Sequence, residues 1–97
     1  MHARVITTMT KPEKIDDAVK VIQDSVLPAA QQQPGFKGLL LVTDRDSGKG
    51  YSLTLWETED DMLAGEQSGY LQEQIAKVGP FLAGRPTTEH MEVVLRE

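Results

Sequence analysis

The stretch Gly38-Leu39-Leu40-Leu41-Val42, running into Thr43-Asp44, decides how this chain folds. Five residues are far too few for a membrane span, which needs about 20. A strand with one wet face alternates apolar and polar residues, because successive side chains point to opposite sides. Here Leu39, Leu40, Leu41 and Val42 put apolar groups on both sides. In a chain of 97 residues, folding hides only roughly 60–65% of the unfolded surface. One side of such a strand can be covered by the chain's own helices. The other side calls for cover from outside, and a second copy is the simplest source, since two-fold homodimers are the commonest oligomers.

Regular elements extend outward from this strand. Upstream, residues 2–9 alternate, with Ala3, Val5 and Met9 on one side and His2, Arg4, Ile6 and Thr8 on the other, giving a first strand. Thr10-x-x-Glu13 has the form of a capping box, with Pro12 tolerated in the first helical turn. Ile15, Ala18, Val19, Ile22 and Val26 then recur at helical spacing, while Lys14, Asp17, Lys20 and Asp24 face away. Pro28 is expected to distort this helix, and Gln31-Gln32-Gln33-Pro34-Gly35 ends it. The second strand covers Phe36 to Thr43. Residues 44–50 form a polar hairpin loop, and the third strand runs from Tyr51 to Glu57. Thr58-x-x-Asp61 opens a second helix, which Gly65 and Gly69 weaken, so a break and restart is expected near Gly69. Gly79-Pro80 stops it. Thr88 to Arg96 alternates as a fourth strand, with Met91, Val93 and Leu95 on one side.

The order β-α-β-β-α-β gives one α+β domain over residues 1–97, a ferredoxin-like four-stranded antiparallel sheet with both helices on one face. The chain carries 10 Lys and Arg against 15 Asp and Glu, a net charge of −5. With no basic cluster, nucleic acid is not an expected partner. The chain has no cysteine, which excludes disulfides, thiolate metal sites and cysteine nucleophiles. No leader-like or membrane-spanning apolar run is present, so a cytoplasmic protein without a membrane partner is expected.

Candidate chemistry lies on the mixed sides of strands three and four. Tyr51, Leu53 and Leu55 make one apolar side. Ser52, Thr54 and Trp56 make the other, and Thr88, His90, Glu92 and Val94 make the equivalent side of the fourth strand. A stripe of Trp, Thr, His and carboxylate suits a small-molecule pocket, and equally a polar patch in an interface. Trp56 also suits a packing anchor. His90 is the acid–base candidate, because imidazole titrates near neutrality. Tyr70 can present a hydroxyl between helix and sheet, or simply pack. Arg4 and Glu92 are expected to face each other across strands one and four as an ion pair. Asp44-x-Asp46-x-Gly48 opens like a calcium loop. Lys49 and Leu55 stand where that loop requires Gly and Glu, so an ordinary polar turn is expected. Two histidines on separate strands suggest no metal site.

Three stretches carry a family resemblance: Gln33-Pro34-Gly35-Phe36-Lys37-Gly38, Leu55-Trp56-Glu57-Thr58-Glu59-Asp60 and Val26-Leu27-Pro28-Ala29-Ala30. With the length and element order, they resemble the antibiotic biosynthesis monooxygenase-like (ABM) family of dimeric α+β barrels. The resemblance implies a homodimer. It also points to cofactor-independent monooxygenase chemistry on a small aromatic of the phenol or quinol type, for which the residues themselves offer His90 as catalytic base and Trp56, Thr54 and Tyr70 as substrate-binding groups. No cofactor or metal is implied. A non-catalytic small-ligand binder and a structural or stress-related homodimer are the alternatives. The family's haem-degrading branch uses an Asn on strand one with a Trp and a His on helix two. This chain has no asparagine. Val5 or Thr7 stands in the first place, and Gly65 and Gln74 or Ile75 stand near the others, so haem cleavage is not expected.

Overall fold

A computed structural model describes all residues, Met1–Glu97. Strand β1 (His2–Met9) is followed by a 3-10 turn (Pro12–Lys14), helix α1 (Ile15–Val21), a π-helical stretch (Ile22–Val26) and helix α2 (Leu27–Gln31). Strands β2 (Phe36–Thr43) and β3 (Lys49–Trp56) form the hairpin. Helices α3 (Glu59–Gln67) and α4 (Tyr70–Val78), a 3-10 turn (Gly79–Phe81) and strand β4 (Thr87–Glu92) complete the chain. All strand pairs are antiparallel, in the order β2-β3-β1-β4. This is the ferredoxin-like α+β arrangement. No helix is long and apolar enough to cross a membrane.

The helices pack on one side of the sheet only. Ile15, Ala18, Ala30, Met62 and Leu71 are buried there, against Arg4, Ile6 and Trp56 from the strands. The opposite side carries the most exposed strand aliphatics: Leu40 is 58% exposed, Val42 46% and Met91 46%. The quadruple apolar run thus feeds Leu39 and Leu41 inward and leaves Leu40 and Val42 bare. Leu40 and Val42 lie on edge strand β2 and Met91 on the opposite edge strand β4, so the exposed apolar groups stand at both margins of this side.

Several local expectations hold for identifiable reasons. The Thr58 hydroxyl accepts from the Asp61 amide at 3.0 Å, closing the first turn of α3. Gly69 has φ +87, which a residue with a Cβ rarely adopts, and there the second helix breaks into α3 and α4. Asp44 Oδ1 accepts from the Asp46 amide at 2.9 Å, an Asx turn that tightens the hairpin loop. The π-helical stretch lies directly before Pro28. Proline lacks the amide that would bond back to the preceding turn, and the helix meets that loss by widening.

Others are corrected. Thr10 does not cap a helix; it forms an isolated bridge with Leu82, and its amide donates to Gly48 at 2.8 Å. The chain then enters the helix through the Pro12–Lys14 turn with no side-chain cap. Strand β4 stops at Glu92 instead of Arg96, because its partner β1 begins at His2, the residue opposite Glu92. Only the Val93 amide, bonded to the Met1 carbonyl at 2.9 Å, extends the pairing. Strand β3 begins two residues early, since Lys49 pairs with Met9. The Arg4–Glu92 ion pair is absent. Arg4 lies opposite His90, two residues along, and Glu92 lies opposite His2.

Candidate functional site

Between the helices and the sheet lies a cavity of about 280 Å³. It follows the chain of β1 from Arg4 past Ile6 and Thr8 to Thr10, six residue steps or roughly 20 Å. Its middle is aliphatic, formed by Ile6, Ile15, Ile22 and Leu71 among others. Helices α1 and α2 supply one wall through the stripe read from the sequence, with Ala18, Val19 and Val26 in it. Arg4 is its one charged lining residue, with Thr54 opposite it on β3 and Tyr70 and Gln74 contributed by α4, while Thr8, Thr10 and Thr43 bring hydroxyls to the other end.

Arg4 is the unusual residue there. It is 1% exposed, so a guanidinium charge is held inside the protein. A buried charge is tolerated only when paired and hydrogen-bonded. Its Nε donates to Glu66 Oε2 at 3.2 Å and its Nη2 donates to the Met62 carbonyl at 2.5 Å, both on α3. The Trp56 ring lies below it, 5.2 Å from ring centroid to guanidinium carbon, a cation–π contact. The same Glu66 oxygen stands 2.7 Å from His90 Nε2, so one carboxylate serves two basic groups. Gly65 makes this packing possible. A methyl there would lie 3.1 Å from Tyr70 Cδ2 and 3.4 Å from Arg4 Nη2. A glycine that costs helix stability is therefore what lets α3 approach both side chains.

The residues singled out from the sequence occupy three settings. Thr54 and Tyr70 line the cavity. Trp56 is 1% exposed and stands behind that lining. Its Nε1 donates to Thr54 Oγ1 at 2.9 Å, and Phe36 meets it edge-on at 5.6 Å between centroids. His90 is on edge strand β4, outside the lining, with its side chain 43% exposed and held by Glu66. Burial raises the Tyr70 pKa, and the nearby Arg4 charge pulls it partly back. His2 lies at the strand end, opposite Trp56 across β1 and β3, with its Nδ1 3.9 Å from Glu59 Oε2.

Arg4 and Glu66 were not legible as a pair. Arg4 shares its side of β1 with Ile6, which becomes core, and that was the available sign that Arg4 also points inward. Glu66 falls in a helix rich in acidic residues, where nothing in the spacing distinguishes it from its solvated neighbours.

The match to known proteins is extensive. Residues 1–77 fit the sequence profile of the family described as antibiotic biosynthesis monooxygenase. Over 94 residues the chain is 32% identical to Uncharacterized protein Rv2557 of Mycobacterium tuberculosis, an alignment covering 96% of this chain and 41% of that one. The chain thus spans about two-fifths of the length of the curated relatives it matches. The heme degrader MhuD of Mycobacterium tuberculosis, solved with two hemes in its active site, superposes with a TM-score of 0.79. That match has 17% identity and covers 100% of this chain and 99% of the other. The Streptomyces coelicolor monooxygenase from ActVA-Orf6, solved with Nanaomycin D, gives a TM-score of 0.71 at 21% identity over 99% and 92%. At those identities the two likenesses establish the fold. With the profile match over most of its length, the chain belongs to the antibiotic biosynthesis monooxygenase family.

Proposed function

We propose that this domain is a cofactor-independent monooxygenase that takes a small aromatic of the phenol or quinol type into the helix–sheet cavity. The observation that carries this reading is the cavity itself: a largely aliphatic lining whose one charged residue, Arg4, stands beside Thr54 and close to Tyr70. Its volume of about 280 Å³ is at the small end of ligand pockets, which span about 300–1,000 Å³. That favours one or two rings over a macrocycle such as haem, and neither histidine belongs to the lining. The family membership supports monooxygenase chemistry.

The chemistry is balanced without a reductant. When a phenol becomes a quinone, one atom of O₂ enters the ring as the new carbonyl oxygen and the other leaves as water. The ring and its lost hydrogens supply all four electrons. The protein's part is to hold the ring, exclude water and take up the phenolic proton. Thr54 and Tyr70 contact the substrate, and Trp56 fixes the Thr54 hydroxyl. His90 is the proposed base; it stands outside the lining, 2.7 Å from the Glu66 oxygen that Arg4 also bonds. The working unit is a homodimer joined through the open sheet face, which bares Leu40, Val42 and Met91.

Trp56 is the sole tryptophan, so its fluorescence reports on one place. A panel of hydroquinones and naphthols should quench or shift it saturably, with EDTA making no difference. Oxygen consumption with a binding compound supports the enzyme reading. Saturable binding without oxygen uptake across the panel favours a ligand-binding domain instead, and no saturable signal leaves a structural homodimer. His90→Gln should keep binding and lose oxygen uptake; unchanged turnover removes His90 as base and leaves the cavity as the site.

A further inference from the structure

The buried Arg4 is less completely used than its burial demands. A guanidinium carries five N–H donors and no acceptor. Nε bonds to Glu66 and Nη2 to the Met62 carbonyl, while Nη1 has no protein partner. The Tyr70 hydroxyl likewise makes no hydrogen bond within the protein, although Tyr70 lines the cavity. No side-chain nitrogen or oxygen in the chain is both sealed from solvent and unpartnered. The spare groups of Arg4 and Tyr70 therefore open onto accessible space, and the space both residues line is the cavity. They are close to one another. Both reach within 3.4 Å of the point where a Gly65 Cβ would stand, and the Arg4 charge is felt at the Tyr70 hydroxyl.

The charge balance leads to the same end of the cavity. Glu66 is the only carboxylate paired with Arg4, through one long contact of 3.2 Å. The oxygen making it also lies 2.7 Å from His90. The guanidinium is thus only partly compensated, in a position where water is scarce. A positive group with spare donors in a dry site attracts an ionised oxygen more strongly than it would in water.

We propose that Arg4 and Tyr70 form an oxyanion-recognising end of the cavity, so that it selects aromatic compounds carrying an ionised oxygen, a phenolate or an aromatic carboxylate, over neutral aromatics of the same shape. This rests on the cavity being the substrate site. Arg4 touches substrate directly and sets specificity. For the oxidation above it favours the electron-rich phenolate, the form that gives electrons to O₂ most readily.

The test compares 2-naphthoate with its neutral relative 2-naphthalenemethanol at neutral pH, by calorimetry and by Trp56 fluorescence. In the unmodified protein the carboxylate should bind on the order of tenfold tighter or more, equivalent to about 1.4 kcal/mol. Arg4→Gln should erase that preference while the alcohol still binds, and Tyr70→Phe should reduce it a few-fold. Glu66→Gln leaves Arg4 in place and removes the competing carboxylate, so the preference should grow. It also decides the matter if Arg4→Gln fails to fold. Equal binding of the two probes by the unmodified protein overturns the oxyanion site and leaves the cavity as an aromatic site. A preference that survives Arg4→Gln, or shrinks in Glu66→Gln, also overturns it. If neither probe binds, the cavity is not the substrate site and both readings fall together.

Discussion

The two faces of the sheet differ in the opposite sense to the usual one. The face turned to the helices is mixed: Arg4, Ile6, Ser52, Thr54 and Trp56 share it, and Arg4 and Trp56 are each 1% exposed. The face turned away is the more apolar, with Val5, Leu40, Val42, Leu53 and Met91, yet it is the more open. A monomer alone would place its greasier face inward. The inversion accords with the site proposed on the inner face and the homodimer proposed through the outer one.

The largest expected effect breaks the inner face. Trp56→Ala removes a ring packed against Phe36 and lying under Arg4. It should cost about 3–5 kcal/mol in urea unfolding, the high end because Arg4 loses its floor. A loss near 1 kcal/mol would mean the inner face is loosely packed and that Arg4 is not anchored by the ring. On the outer face, Leu40→Lys puts a charge where apolar cover is expected. It should weaken self-association by about 2 kcal/mol or more, seen by sedimentation as a shift from dimer to monomer at micromolar concentration. A monomer in the unmodified protein would remove the contrast between the faces. The smallest effect concerns Tyr70. Its pKa is raised in the folded protein by burial, so the unfolded chain gives up the proton at lower pH. The stability this tyrosine supports is therefore whole below about pH 10, the usual tyrosine value, and is lost as pH rises from there through the folded value. Tyr70→Phe should flatten that alkaline decline in urea midpoints; an unchanged decline would place the Tyr70 hydroxyl in water rather than in the cavity.

Much of the architecture was legible because local rules and global packing agree. The Thr58 cap, the break at Gly69 and the distortion ahead of Pro28 each follow from one residue's backbone chemistry. The Leu39–Val42 run has apolar residues on both sides, and the structure turns Leu39 and Leu41 inward while Leu40 and Val42 stay exposed. Failures cluster where long-range register decides. Sequence alternation assigns Arg4 to a side of β1 but does not say which residue of β4 stands opposite, and a shift of two residues exchanged Glu92 for His90. Where β4 ends depends on where β1 begins, which is not a property of residues 93–96. Thr10 has the right neighbours for a cap, but a bridge to Leu82 claims its backbone first. The site shows the same limit. Thr54 and Tyr70 lie in the lining as their side of strand and helix implied. The Arg4–Glu66 contact joins residues 62 positions apart and no short pattern encodes it.

The widened turn at Ile22–Val26 acts as a phase correction for the first helix. Fifteen residues separate Ile15 from Ala30, and at 3.6 residues per turn that interval overshoots four whole turns by about 60°. Both residues nevertheless line the cavity, as do Ala18, Ile22 and Val26 between them. The π-helical stretch absorbs the surplus, so one wall faces the cavity from end to end. A wall built this way tolerates exchange of its side chains far better than any change in their number. Deleting a single residue between positions 22 and 26 would rotate everything upstream by about 100°, turning Ile15 and Ala18 away from the cavity and bringing charged neighbours toward it.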